Sequence, residues 1–304
     1  AYGKKAAWIA GIAVACDPFL IFFSSLMLTE TWFILLFTFV WTTAHRLARQ
    51  SAEPGIKAWM ILGAAIACSS YMRETGIVLS GLVVLALIGA RGFSRASLAG
   101  SAAVALMGIL AFVPWAARNQ SVTGEWIWLT TRGGISLYDG VRPDADGSSR
   151  LEGVQQNEST AEMTESEWHH HFRSLAWEHV RNEPGRVAAL AAVKLARTWN
   201  PIPNVDTYQS PLIRFVSAAW MIPLYTLVLF GSVFLLTRTK TVKPLTTIAL
   251  AWMPVIGICL LHVLFVGSVR YRLPAIPMLE MVAGMTISRA LSPNNQSDRW
   301  KKDG

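Results

Sequence analysis

Apolar runs interrupted by short polar turns dominate the chain. Eight runs, at approximately 6–23, 27–44, 56–71, 75–90, 98–117, 212–236, 245–266 and 273–291, are long enough to predict helices that cross a bilayer. Hydrocarbon offers backbone N–H and C=O groups no partners, so each run is expected to satisfy them internally as a helix. Several runs are short or contain proline, which predicts tilted or broken spans. The expected fold class is therefore all-α: a polytopic transmembrane bundle of about eight spans. Residues 1–117 hold five spans, 118–210 form a large extracytoplasmic loop or cap, 211–291 hold three spans, and 292–304 are a cytoplasmic tail.

The one long polar stretch is too large for an idle connection. Its first part, 124–147, is rich in Gly, Thr and Asp and reads as loop or short strand. From Thr164 the apolar residues Trp168, Phe172, Leu175, Ala176 and Val180 recur at helical spacing until Glu183-Pro184-Gly185 intervenes. Pro184 can then open a second helix whose apolar side carries Val187, Leu190, Ala191, Leu195 and Trp199. Two amphipathic helices of this kind can lie along a membrane surface.

Composition agrees with a bilayer setting. The 304 residues are 53% hydrophobic and only 15% charged, with 13 Trp, and the mean hydropathy is +0.38. The net charge of +8 would raise nucleic acid in a soluble protein. Here the basic residues lie in short clusters between apolar runs, so no nucleic-acid partner is expected. Lys4 and Lys5, then Arg46, Arg49 and Lys57, then Arg91 and Arg95, then Arg238, Lys240 and Lys243, then Arg289, Arg299, Lys301 and Lys302 all fall on one side, cytoplasmic by the positive-inside rule. The turns at 24–29 and 267–272, the Arg73 turn and the 118–210 segment then face outward.

Chemistry-bearing residues collect on that outward face. Glu30 is an acidic residue at a membrane edge, where an ionised carboxylate costs a few kcal/mol unless it meets water, a partner or a substrate; water at a helix end is the plain alternative. Arg73 stands in a tight outward turn that short-loop arginines normally avoid, and a pair with Glu74 would account for it. Arg270 and Arg272 flank Tyr271 just before Pro274 and Pro277. Guanidinium forks bind phosphate oxygens bidentately and keep their charge, although snorkelling to headgroups needs only the same location. Arg118 ends its run, where snorkelling suffices. His262 lies about a turn from the outer end of its helix, where a satisfied core histidine is the ordinary reading.

His169, His170 and His171 are about 100° apart on a helix and cannot all face one ion. Cys16, Cys68 and Cys259 lie in apolar stretches without metal or disulfide spacing. No metal site is expected from these residues.

The order of several stretches resembles the GT-C glycosyltransferases of the protein O-mannosyltransferase and aminoarabinose-lipid-A transferase superfamily. The stretches are Asp17-Pro18-Phe19 leading to Leu28-Thr29-Glu30-Thr31; Tyr71-Met72-Arg73-Glu74-Thr75-Gly76; Pro114-Trp115-Ala116-Ala117-Arg118-Asn119, with Gly124 and the glycine-rich 130–140 following; Glu183-Pro184 through Trp199-Asn200-Pro201; and Arg270-Tyr271-Arg272-Leu273-Pro274-Ala275-Ile276-Pro277. Glu74 stands where the family usually has proline, and no counterpart of the family's first-loop acidic residue precedes Ala1. The resemblance implies a polyprenyl-phosphate-linked sugar donor, a lipid, glycan or protein acceptor at the outer face, and transfer by direct displacement with inversion. It also implies that the family's first-loop catalytic carboxylate lies in a segment upstream of Ala1, with Glu30 as a catalytic residue that positions the acceptor or assists it, and Arg73, Arg118, His262, Arg270, Tyr271 and Arg272 as substrate-binding residues. The resemblance leaves a divalent metal open and requires no other cofactor. It places the chain, with membrane lipids around it, in a bacterial inner membrane. An O-antigen-ligase or polymerase-type enzyme, using a diphosphate-linked donor, and a lipid or solute transporter are the alternatives.

Overall fold

A computed structural model of the chain describes residues 3–151, 163–237 and 242–291. Among the described residues all regular structure is helical and no strand occurs. Twelve α-helices occur, α1 (Gly3–Cys16), α2 (Pro18–Ser25), α3 (Glu30–Arg49), α4 (Ile56–Met72), α5 (Thr75–Arg91), α6 (Arg95–Thr123), α7 (Gly133–Val141), α8 (Glu165–Asn182), α9 (Pro184–Thr198), α10 (Pro211–Thr237), α11 (Val242–His262) and α12 (Ile276–Ala290). Two 3-10 helices, Asp206–Tyr208 and Val269–Ala275, complete them. The expected tail and the basic residues Arg238, Lys240, Arg299, Lys301 and Lys302 lie outside the described residues.

Among the described residues three helices are long and apolar enough to cross a membrane: α6, α10 and the Leu245–His262 part of α11. The chain thus carries the helices of a membrane-associated protein. The first apolar run is not one straight helix. Asp17 interrupts it, its carboxylate accepting from Leu20 N at 2.8 Å to cap α2 while Pro18 takes the first helical position. The two pieces are long enough to span only together, and they are bent by 49°. α4 and α5 are apolar but shorter, at 17 residues each.

One core joins most of these helices. α1 and α10 pack on α12, α3 packs on α4 and α5, α5 on α11, and α4 on α6. Phe33, Phe37, Val40 and Ala44 bury one stripe of α3 at intervals of three and four residues. Trp41 donates its indole N–H to Leu250 O at 2.9 Å and ties that stripe to α11. The opposite faces carry exposed apolar side chains such as Leu35, Leu85, Leu106, Leu110, Phe215 and Phe230, the surface that hydrocarbon would cover.

Residues 118–210 hold α7, α8 and α9. The glycine-rich stretch contains no strand; it forms α7, which packs on α8. Glycine is a weak helix former, and close approach explains its use here. A Cβ at Gly134 would strike the His169 backbone carbonyl, and one at Gly140 would strike that of Leu264. α8 begins with a full capping box, Thr164 with Glu167, and α9 has Pro184 at its start. Ile135 and Phe172 form one small core between α7 and α8, and Leu137, Val141, Ala176 and Val187 form another. α6 continues past Arg118 to Thr123 and stops at Gly124, whose φ of +78° is the left-handed cap that glycine adopts without strain.

Candidate functional site

Two helix ends and one 3-10 turn converge on Glu30. α3 presents the carboxylate in its first turn, where the helix N-terminus favours negative charge. Arg73 is the C-cap of α4, held extended because the connection to α5 has only two residues. Arg270 comes from the Val269–Ala275 3-10 helix, whose start Ser268 caps. Both guanidinium groups bond the same Glu30 oxygen, Oε1. Glu30 is 2% exposed, and no donor among the described residues reaches its Oε2.

His262 and Tyr271 form the adjoining wall, their rings stacked at 4.5 Å between centroids. Val266 O lies 2.5 Å from His262 Nδ1. A carbonyl only accepts, so Nδ1 carries the proton and a neutral ring leaves Nε2 as its acceptor. Arg73 also sits over the Tyr271 ring at 5.7 Å. Together with Phe33, Leu79, Ile258 and Pro274, these groups line one small pocket. Two guanidinium groups against one carboxylate leave a surplus positive charge beside a small, mostly apolar recess, a charge that suits an anion at its mouth, where Arg270 is most exposed.

Five of the residues singled out in the sequence therefore meet: Glu30, Arg73, His262, Arg270 and Tyr271. Arg73 pairs with Glu30 rather than with its neighbour Glu74. Arg118 and Arg272 lie apart from the pocket. Arg118 is exposed, stacks on Trp115 at 5.5 Å and bonds Asn119 Oδ1 at 3.2 Å. Arg272 is fully buried and donates to Asn200 O, just beyond α9, and, at 3.4 Å, to Thr198 O at its last residue. In a 3-10 helix successive residues turn by about 120°, so Arg270 and Arg272 necessarily diverge.

Lys194 stands behind the pocket, and its role was not visible in the sequence. From α9 it donates to Val263 O at 3.2 Å and Leu264 O at 2.7 Å, carbonyls of the turn just after α11. A Cβ at Gly267 would strike the Lys194 carbonyl, so the loop that carries His262 into Arg270 rests directly on α9. Burial pushes the Lys194 ammonium down to about 8. Its alternation with Val187, Leu190 and Ala191 on a buried face is the only sequence signal, and it resembles an ordinary amphipathic edge.

The three histidines take separate surroundings. His169 Nδ1 lies 2.7 Å from Thr131 O and 3.1 Å from Gly134 N, whereas His170 faces Glu125 Oε2 at 3.1 Å. Among the described residues no three His, Cys, Asp or Glu side chains gather in a metal-binding arrangement. Compared with protein-family models, curated proteins and solved structures, the chain matches none of them.

Proposed function

We propose that the chain is an integral-membrane glycosyltransferase that moves a sugar from a polyprenyl-phosphate-linked donor to an acceptor at the extracytoplasmic face. The observation that carries this reading is the convergence of Arg73 and Arg270 on Glu30 in a pocket with surplus positive charge. Arg270 is about one-third exposed at its side chain and Arg73 about one-fifth, while Glu30 is buried between them, so an incoming phosphate meets the arginines first. In the reaction, the bond from the anomeric carbon to the phosphate oxygen breaks as the acceptor hydroxyl attacks from the opposite face. The hydroxyl proton passes to a carboxylate, and polyprenyl phosphate leaves. The guanidinium groups offset the charge that develops on it. Glu30 holds both guanidinium groups in place and keeps Oε2 free for the acceptor hydroxyl. His262 Nε2 and the Tyr271 ring bound the sugar.

The eight-span arrangement belongs to this proposal, with α1–α2, α3, α4, α5, α6, α10, α11 and α12 as spans and α7 to α9 as an external cap in a bacterial inner membrane. It is supported by α3, which carries Glu30 at one end and Arg46 and Arg49 at the other, about 30 Å away at 1.5 Å per residue. Arg91, at the end of α5, reaches the same side as that basic end, donating to Leu47 O at 2.8 Å and Gln50 O at 3.1 Å.

The test is reconstitution of the full chain in lipid with polyprenyl-phosphate-linked hexoses and pentoses, following release of free polyprenyl phosphate. Arg270→Ala and Arg73→Ala should each lower kcat/KM more than tenfold, as loss of a charge-assisted contact worth about 1.5 to 3 kcal/mol allows. Turnover with a diphosphate-linked donor alone would transfer the chain to the ligase or polymerase class.

A further inference from the structure

A second polar cluster lies inside the bundle, away from the pocket. Asp17, Glu280 and Arg272 are each 0% exposed. They come from the α1–α2 break, from α12 and from the 3-10 helix. The Asp17 and Glu280 carboxyls face each other within hydrogen-bonding range. Asp17 Oδ1 is used by Leu20 N at 2.8 Å, and Glu280 Oε1 by the Trp220 indole N–H at 3.3 Å. The remaining oxygens, Asp17 Oδ2 and Glu280 Oε2, meet no donor among the described residues. Two buried carboxyls within reach of each other, each with an oxygen that meets no donor, are what a pair sharing one proton looks like when that proton is not drawn.

Charge leads to the same count. Arg272 carries one positive charge and stacks over Phe19 at 4.5 Å and Tyr225 at 5.9 Å. Its Nε and Nη2 find no acceptor among the described residues. Tyr225 from α10 is the other titratable group facing the cluster, and its hydroxyl is likewise unpartnered among the described residues. With both carboxyls ionised the buried cluster would hold a net charge of −1. With one proton between them it is neutral, the state that a dry interior strongly favours.

We infer that Asp17 and Glu280 form a buried proton-binding site, holding one shared proton whose presence makes the Asp17–Glu280–Arg272 cluster neutral and keeps the α1–α2 break closed on α12. Loss of the proton sets two carboxylates against each other across that junction and pushes it apart.

Infrared spectroscopy of the purified full chain in lipid nanodiscs tests this, independently of any catalysed reaction. At pH 7 a protonated-carboxyl C=O band, shifting in D2O, should be present and should vanish in both Asp17→Asn and Glu280→Gln. Both variants keep the neutral count without needing a proton, so their melting temperatures should stay near that of the wild type. Arg272→Met leaves the carboxyl pair one charge short of neutrality, and should lower the melting temperature. Adding Asp17→Asn to Arg272→Met leaves Glu280 free to bind the proton alone and should recover most of the loss. Absence of the band at pH 7, or a band unchanged in both single variants, would overturn the inference.

Discussion

Glu30 and Lys194 are both buried charges, yet different variants expose their roles. Glu30→Gln keeps the shape of the side chain and removes the charge that holds Arg73 and Arg270. Freed from it, the arginines should repel each other, so turnover should fall at least tenfold with a smaller change in donor KM; a purely structural carboxylate would instead lower folded yield first. Lys194 gives a pH signature. Its folded ammonium loses its proton near 8 and the unfolded one near 10.5. Between those values the unfolded chain binds more protons, so stability rises with pH. The Tm of the wild type should therefore climb relative to Lys194→Met from pH 8 to pH 10, by a free-energy difference on the order of a few kcal/mol. Parallel Tm curves would remove Lys194 from the linkage.

Residues that meet in the pocket were legible because each carries a cost: Glu30, Arg73 and Arg270 are charged groups on the face where charge is unexpected. Glu280 bears the same cost, but its partner Asp17 lies at the other end of the chain, and a lone acidic residue inside an apolar run gives no direction. Arg272 misled for a local reason, since proximity in sequence to Arg270 does not survive the 3-10 geometry of Val269–Ala275.

At the level of elements, the periodic helices were legible and the non-periodic one was not. α8 and α9 follow from their apolar spacing and from Thr164 and Pro184. α7 does not, because Gly133, Gly134 and Gly140 lower helix propensity. Its helical form depends on tertiary contact, with glycine admitting the backbones of α8 and of the loop after α11. Gly140→Ala should therefore loosen the cap. A methyl group against the Leu264 carbonyl forces α7 outward at about 1 to 2 kcal/mol, a roughly 5- to 30-fold change in opening. Limited proteolysis between α6 and α8 should accelerate by a comparable factor, while Ser136→Ala at the same helix serves as control.

For the whole molecule, sidedness is the property that the proposed chemistry most depends on. Ser148, in the segment after α7, should be extracytoplasmic. In a variant with Cys16 and Cys68 replaced, because both are exposed, a Ser148→Cys thiol should react with an impermeant maleimide in intact cells. A Ser297→Cys thiol should react only after permeabilisation. The reverse pattern would invert every assignment of outward and inward used above, and would place the pocket on the cytoplasmic side, where soluble nucleotide-linked sugars are met.

The bond between Glu30 and Arg270 joins residues 240 positions apart. At a synthesis rate of roughly 5 to 20 residues per second, Glu30 leaves the ribosome about ten seconds to a minute before Arg270 exists. For that interval the carboxylate has only Arg73 as a cation from the eventual pocket. The cluster is thus completed late in synthesis rather than early, and a chain that stops anywhere before Arg270 is released with Glu30 and Arg73 balanced and no surplus positive charge. Under the proposed function, such unfinished chains should not compete for donor lipid with the finished ones beside them.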